Sequence, residues 1–107
     1  MSLFWCFQSY NGDQIEKGKW VAVAYDEAYY VGQVTAIMSE EEMEINFLAQ
    51  SHDGVFKWPR KKDCAKIDKK YIFSCNLQLE TVGEQFTLKN LDKIEELYEN
   101  YKKRFMH

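Results

Sequence analysis

The sequence contains few of the residues that usually mark catalytic chemistry. Its 107 residues include two histidines, one proline and five glycines. Two histidines leave few general bases, and no glycine-rich phosphate loop, metal-ligand spacing or nucleophile elbow is present. We therefore expect a protein that is not an enzyme and that holds no metal and no cofactor.

Cysteines and long apolar runs are also scarce. The three cysteines, Cys6, Cys64 and Cys75, contain no CxxC pair, and an odd number is a poor disulfide framework. They predict buried, reduced thiols and an intracellular location. No apolar run approaches the roughly 20 residues of a membrane-spanning helix, and the opening residues lack the basic start of a signal peptide. We therefore expect no membrane partner.

Apolar and aromatic side chains, in contrast, are plentiful. Hydrophobic residues make up 46% and aromatic residues 16% of the sequence, which is enough for a single folded domain over residues 1–107. The net charge is −3. Because the chain as a whole does not attract polyanions, any contact with nucleic acid must come from a local basic patch.

Five short segments have the composition and alternation of β-strands. They are residues 19–25, 29–38, 43–49, 55–58 and 71–79. In the first segment, Val23 and Tyr25 point to one face, while Ala22 and Ala24 point to the other. Gly32 in the second segment indicates a bend or a close approach of two backbones. Five short strands at this spacing predict a small, strongly curved barrel.

The period of the apolar residues changes near the C-terminus. Steps of three and four predict a helix over residues 87–106, with Thr87 or Asn90 as its N-cap. The apolar stripe consists of Leu88, Leu91, Ile94, Leu97, Tyr98, Tyr101 and Phe105. We expect this stripe to pack on the barrel and to cover what the barrel leaves open.

Residues 18–79 resemble the Tudor family of SH3-like barrels. The segment WVAVAYDEAYYVGQVTAI is similar to the opening hairpin of these domains, and MEINFLAQSHDGVFKW is similar to their third strand, turn and fourth strand. The segment FKWPRKKDCAKIDKKYIF also looks like part of Tudor-like modules. The resemblance implies a mainly β fold, a small five-stranded SH3-like (Tudor-like) barrel, with the C-terminal α-helix packed outside it.

Tudor domains bind methylated lysine or arginine in a cage of aromatic rings, through cation–π attraction and contact with the methyl groups. The resemblance implies three cage rings, which are Tyr25, Tyr30 and Phe47. A further ring is expected where this chain has Gln50, and Trp58 is the candidate to replace it. His52 is the polar residue expected near the ligand, and the turn at 51–54 is expected on the rim of the groove. Tyr29 should point to the opposite face from Tyr30.

A basic stretch from residue 57 to residue 70 carries half of the positive charge. Its bases are Lys57, Arg60, Lys61, Lys62, Lys66, Lys69 and Lys70, and two aspartates interrupt them. One interpretation is a solubilising loop between strands. The other is a nucleic-acid site in which Trp58 stacks on a base and the residues beside it, Lys57, Arg60, Lys61 and Lys62, contact phosphates.

These observations support three hypotheses. The first is a Tudor-like binding module for a peptide, with methylated lysine or arginine as its ligand, in a nuclear setting of chromatin or RNA processing. The second is a nucleic-acid-binding barrel that uses the basic stretch. The third is a structural, protein-assembly domain whose aromatic residues only pack. Convergent exposed rings would favour the first hypothesis, and a basic face around an exposed Trp58 would favour the second.

Overall fold

The computed structural model describes residues 15–105. Within that range the chain forms two antiparallel sheets and a C-terminal helix. The strands are β1 (Trp20–Tyr25), β2 (Ala28–Ile37), β3 (Glu42–Phe47), β4 (Ala49–His52), β5 (Val55–Lys57), β6 (Cys64–Asp68), β7 (Ile72–Cys75), β8 (Leu79–Val82) and β9 (Gln85–Leu88), followed by the helix α1 (Leu91–Phe105). A short 3-10 helix, Lys69–Tyr71, connects β6 to β7.

The strands divide into a large sheet and a small sheet. The large sheet has the order β6-β3-β2-β1-β7, and the small sheet has the order β4-β5-β9-β8. All of their pairings are antiparallel. The prediction of a mainly β fold with a C-terminal helix is therefore confirmed, while the strand pairings over residues 15–105 close no barrel.

Four strands were not predicted from the sequence. They are β4, β6, β8 and β9. Strand β6 lies inside the basic stretch, where charged side chains hide its alternation, so the interpretation of residues 57–70 as one loop is wrong. The predicted strand 71–79 is also too long, because β7 ends at Cys75 and Asn76 adopts a positive φ of 56°.

Each face of the large sheet carries its own buried apolar cluster. On one face Val21 and Val23 of β1 pack with residues of β2, β3 and β7. On the other face Ala22 and Ala24 pack with the small sheet and the helix. The strict alternation along β1 confirms the two faces predicted for this strand, and it explains why almost every residue of β1 is apolar.

The helix packs through the predicted apolar stripe but begins later than expected. Ile94, Leu97, Tyr98 and Tyr101 are buried. Strand β9 takes up residues 85–88, so Leu88 is a core residue of a strand and Thr87 pairs across strands instead of capping the helix. The Asn90 carbonyl accepts the first backbone hydrogen bond of the helix, from the N–H of Ile94.

Gly32 lies where β2 and β3 approach each other closely, as the sequence predicted. A Cβ atom at this position would collide with the Ile45 side chain and would lie 3.0 Å from Cδ1 of Phe47. The missing side chain therefore leaves room for the Phe47 ring, which reaches over the backbone of Gly32.

The two described cysteines differ from the expected buried, reduced thiols. Cys64 is a free thiol but is exposed on β6, whereas Cys75 is buried and disulfide-bonded. Cys6 lies outside the described residues. A disulfide is typical of oxidising compartments. It does not support the expected intracellular location, which stays a prediction. Between residues 15 and 105, no helix is long and apolar enough to span a membrane.

Candidate functional site

A groove opens at one end of the large sheet, where four strands contribute side chains. Tyr25 ends β1, Tyr30 lies on β2 and Phe47 ends β3, and all three line this groove together with Val23. Strand β6 forms the remaining side. The groove has a volume of about 460 Å³, which is within the range of small-ligand sites.

Strand register explains why the three predicted rings converge. Val23 lies opposite Tyr30, and Phe47 lies opposite Gly32. Residues directly opposite each other on antiparallel strands point to the same face of a sheet, and so do residues two apart on one strand. Tyr25, Tyr30 and Phe47 therefore share the face that carries Val23.

The three rings differ in their exposure to solvent. Tyr25 is 62% exposed and Tyr30 is 43% exposed, while Phe47 is only 8% exposed. The rings of Tyr30 and Phe47 meet edge to face, with centroids 6.3 Å apart and planes 76° apart. Phe47 thus forms the apolar floor of the groove, and the two tyrosines beside it are exposed to solvent.

Strand β6 and the residue before it supply apolar surface and charge to the groove. Asp63 lines it, and the backbone carbonyl of Asp63 accepts a hydrogen bond of 2.8 Å from the N–H of Phe47. Ala65 and Ile67 add apolar surface. Lys66 lies between them, opposite Glu44, so its side chain points to the other face of β6. An aromatic groove beside an acidic residue attracts an organic cation.

Tyr29 lies on the opposite face of the large sheet, as predicted. Its ring contacts Phe73 at 5.8 Å and Tyr98 at 5.2 Å between centroids. Burial, reinforced by the negative charges of Glu95 and Asp53, raises the pKa of Tyr29 to about 12. A second groove of about 530 Å³ lies beside Tyr29, and carboxylates of the helix surround it.

Trp58 and His52 lie outside the groove that contains the three rings. Trp58 packs on Trp20 and Phe86 at the other side of the fold, so it does not replace the missing ring. His52 is an exposed residue of the β4–β5 hairpin, and Gln50 is also exposed. The expected rim at residues 51–54 is therefore wrong, because β6 forms that side of the groove.

The basic stretch divides between several surroundings. Lys57 ends β5, and Arg60, Lys61 and Lys62 are exposed between β5 and β6. Lys66 borders the groove, whereas the ammonium of Lys70 lies 5.2 Å from the centroid of the Tyr71 ring. The seven bases therefore do not act as one patch.

Five groove residues were not predicted as part of the site. They are Val23, Asp63, Ala65, Lys66 and Ile67. The alternation of Ala65 and Ile67 with polar neighbours was the available signal for a strand. Over residues 15–105, no cluster of three or more histidine, cysteine or acidic side chains has the geometry to hold a metal.

Comparisons with models of protein families, with curated proteins and with solved structures give no match for this chain. The resemblance to Tudor domains therefore stays a prediction.

Proposed function

We propose that this chain is a non-enzymatic, Tudor-like binding module that recognises a peptide through the groove of Tyr25, Tyr30 and Phe47. Its ligand is the methylated side chain of a lysine or an arginine, and its setting is nuclear, in chromatin or RNA processing. The observation that carries the proposal is the convergence of two exposed tyrosines on a buried phenylalanine, in a groove that Asp63 also lines.

The chemistry of a methylated cation suits this groove. A methylammonium group gains about 0.5–2 kcal/mol from each well-placed aromatic face. Its methyl groups make apolar contact with Phe47 and Val23, and its charge is attracted by Asp63. Because the chain has Gln50 where a further ring would be expected, one side of the cation stays hydrated, and we expect weak binding.

The proposal includes an SH3-like barrel. The short connection between β6 and β7, the two edge strands of the large sheet, supports it. In a flat sheet, β6 and β7 would lie four strand spacings apart, or roughly 19 Å. Only the 3-10 helix Lys69–Tyr71 connects them, and four residue steps span at most about 14 Å. Moreover, Ile67 of β6 and Ile72 of β7 belong to the same apolar cluster. Both facts favour a curled sheet.

The test is binding of short lysine and arginine peptides, each prepared unmodified and methylated, to the full chain. We expect the methylated peptides to bind more tightly, and we expect Tyr30→Ala to abolish binding. Tyr71→Ala is the matched control, because Tyr71 is 41% exposed but lies outside the groove. NMR shift changes confined to the four groove strands would locate the ligand.

Two outcomes would contradict the proposal. One is equal affinity for methylated and unmodified peptides, and the other is equal loss of binding in Tyr30→Ala and Tyr71→Ala. Absence of binding by every peptide would instead support the hypothesis of a structural domain whose aromatic residues only pack.

A further inference from the structure

A second aromatic surface lies away from the groove, and we name it the Trp58 platform. It consists of Trp58, Trp20 and Phe86. The ring centroid of Trp58 lies 5.8 Å from Trp20 and 5.8 Å from Phe86, while Trp20 and Phe86 are 5.4 Å apart. Trp20 and Phe86 in turn pack against the apolar cluster that contains Ala22 and Ala24. Trp58 therefore rests on two rings that the apolar cluster holds in place.

Trp58 is partly exposed to solvent. Its side chain is 40% exposed although two rings support it. A large ring that is held in place and partly exposed can accept another flat ring without losing much conformational freedom. The platform is thus suited to stacking, and the proposed peptide groove does not explain it.

Basic residues flank Trp58 along the chain. Lys57 precedes Trp58, and Arg60, Lys61 and Lys62 follow it within four residues, all four being exposed. Within residues 15–105, ion pairs occur only on the helix, and none involves these four side chains. A cationic ligand would be repelled here, whereas a flat ligand with attached negative charges would gain from both features.

We propose that single-stranded nucleic acid binds at the Trp58 platform, with a base stacked on Trp58 and neighbouring phosphates beside the basic side chains of residues 57–62. The platform has one open ring and a short basic segment, so it contacts a few nucleotides without reading their sequence. A duplex binds less well, because its bases are stacked inside and cannot reach the ring. This site is independent of the peptide groove.

The experiment measures binding of the full chain to a labelled single-stranded oligouridine, by fluorescence anisotropy, beside a duplex of equal length. About three phosphate contacts predict roughly 20-fold weaker affinity when salt rises from 50 to 200 mM. Trp58→Ala should weaken binding about 5- to 150-fold, whereas Trp58→Phe keeps a stacking ring and should retain most of it.

Charge variants separate a local site from general attraction. Lys61→Glu with Lys62→Glu should weaken binding strongly. The matched control is Lys89→Glu with Lys103→Glu, which makes the same change of charge at two exposed lysines outside residues 57–62; it should retain most of the affinity. Tyr30→Ala should bind the oligonucleotide as the wild type does, so failure of the peptide proposal and failure of this one are distinguishable.

Several results would overturn the inference. They are absence of binding at 50 mM salt, duplex binding as tight as single-strand binding, equal effects of the two charge pairs, and equal binding of an acidic peptide of the same charge. If Trp58→Ala does not fold, as judged by circular dichroism, the comparison of Trp58→Phe with the charge variants still decides the question.

Discussion

At the scale of single residues, two charges of opposite sign lie at or beside the groove. Asp63 attracts a bound cation, whereas Lys66, which borders the groove but points to the other face of β6, repels it from a greater distance. Both side chains are exposed, so water and salt screen their fields. Aromatic contact therefore supplies the larger part of the expected affinity. The charges of Asp63 and Lys66 change that affinity by a smaller amount.

Lys66 gives a prediction in which a substitution improves function. Lys66→Ala removes the repulsive charge, and we expect it to tighten binding of a methylated peptide by up to about fivefold, as an exposed charge pair contributes less than 1 kcal/mol. The measurement is a peptide titration at low salt, with Lys103→Ala on the helix as control. Weaker binding by the Lys66 variant would show that its aliphatic stem contacts the ligand.

The resemblance to Tudor domains implied that Tyr25, Tyr30 and Phe47 lie together, and the alternation of side chains along a strand is consistent with one shared face. The structure brings these three rings to one groove. Asp63 could not be placed in the same way. Its position depends on the pairing of β6 with β3, a long-range contact that no local pattern encodes.

At the scale of elements, the helix packs against one face of the large sheet. Ile94, Leu97 and Tyr98 are buried in the same cluster as Phe73 of β7, and the Tyr101 hydroxyl donates a hydrogen bond of 2.7 Å to the carbonyl of Lys70. The apolar period predicted this packing face. The start of the helix was misplaced because β9 pairs with β5 and β8, and that pairing overrides the helical pattern near Leu88.

Leu97 tests whether the docked helix stabilises the fold. Leu97→Ala removes a buried side chain and leaves a cavity, so we expect a loss of about 2–5 kcal/mol in the free energy of unfolding. Alanine is the better helix former, so propensity cannot cause such a loss. Urea denaturation measures it, with Lys103→Ala on the exposed face as control. Equal stability of the two variants would contradict docking through Leu97.

At the scale of the whole molecule, the two sheets and the helix share one apolar cluster, and aromatic rings within it join the large sheet to the helix. Phe73 of β7 contacts Tyr29 of β2 and both Tyr98 and Tyr101 of the helix, with centroids 5.4 to 5.9 Å apart. The sequence predicted the β class and the helix. It did not predict the small sheet, because its four strands are only three or four residues long and depend on pairing with one another.

This shared core makes the stability of the whole molecule sensitive to alkaline pH. Burial raises the pKa of Tyr29 to about 12 and also raises the pKa values of Tyr98 and Tyr101. In the unfolded chain a tyrosine ionises near pH 10. Below that pH both states keep the proton, whereas above it the unfolded state releases the proton first, which favours unfolding.

We therefore expect the melting temperature to be level up to about pH 10 and to fall between about pH 10 and pH 12. Tyr29→Phe removes one of the responsible hydroxyls, so its melting temperature should fall less steeply over that window. Circular dichroism on heating, repeated across the pH range, measures both curves. Tyr25→Phe is the control, because Tyr25 is exposed and lies outside the aromatic core. Parallel curves for the wild type and Tyr29→Phe would show that ionisation of Tyr29 is not linked to global unfolding.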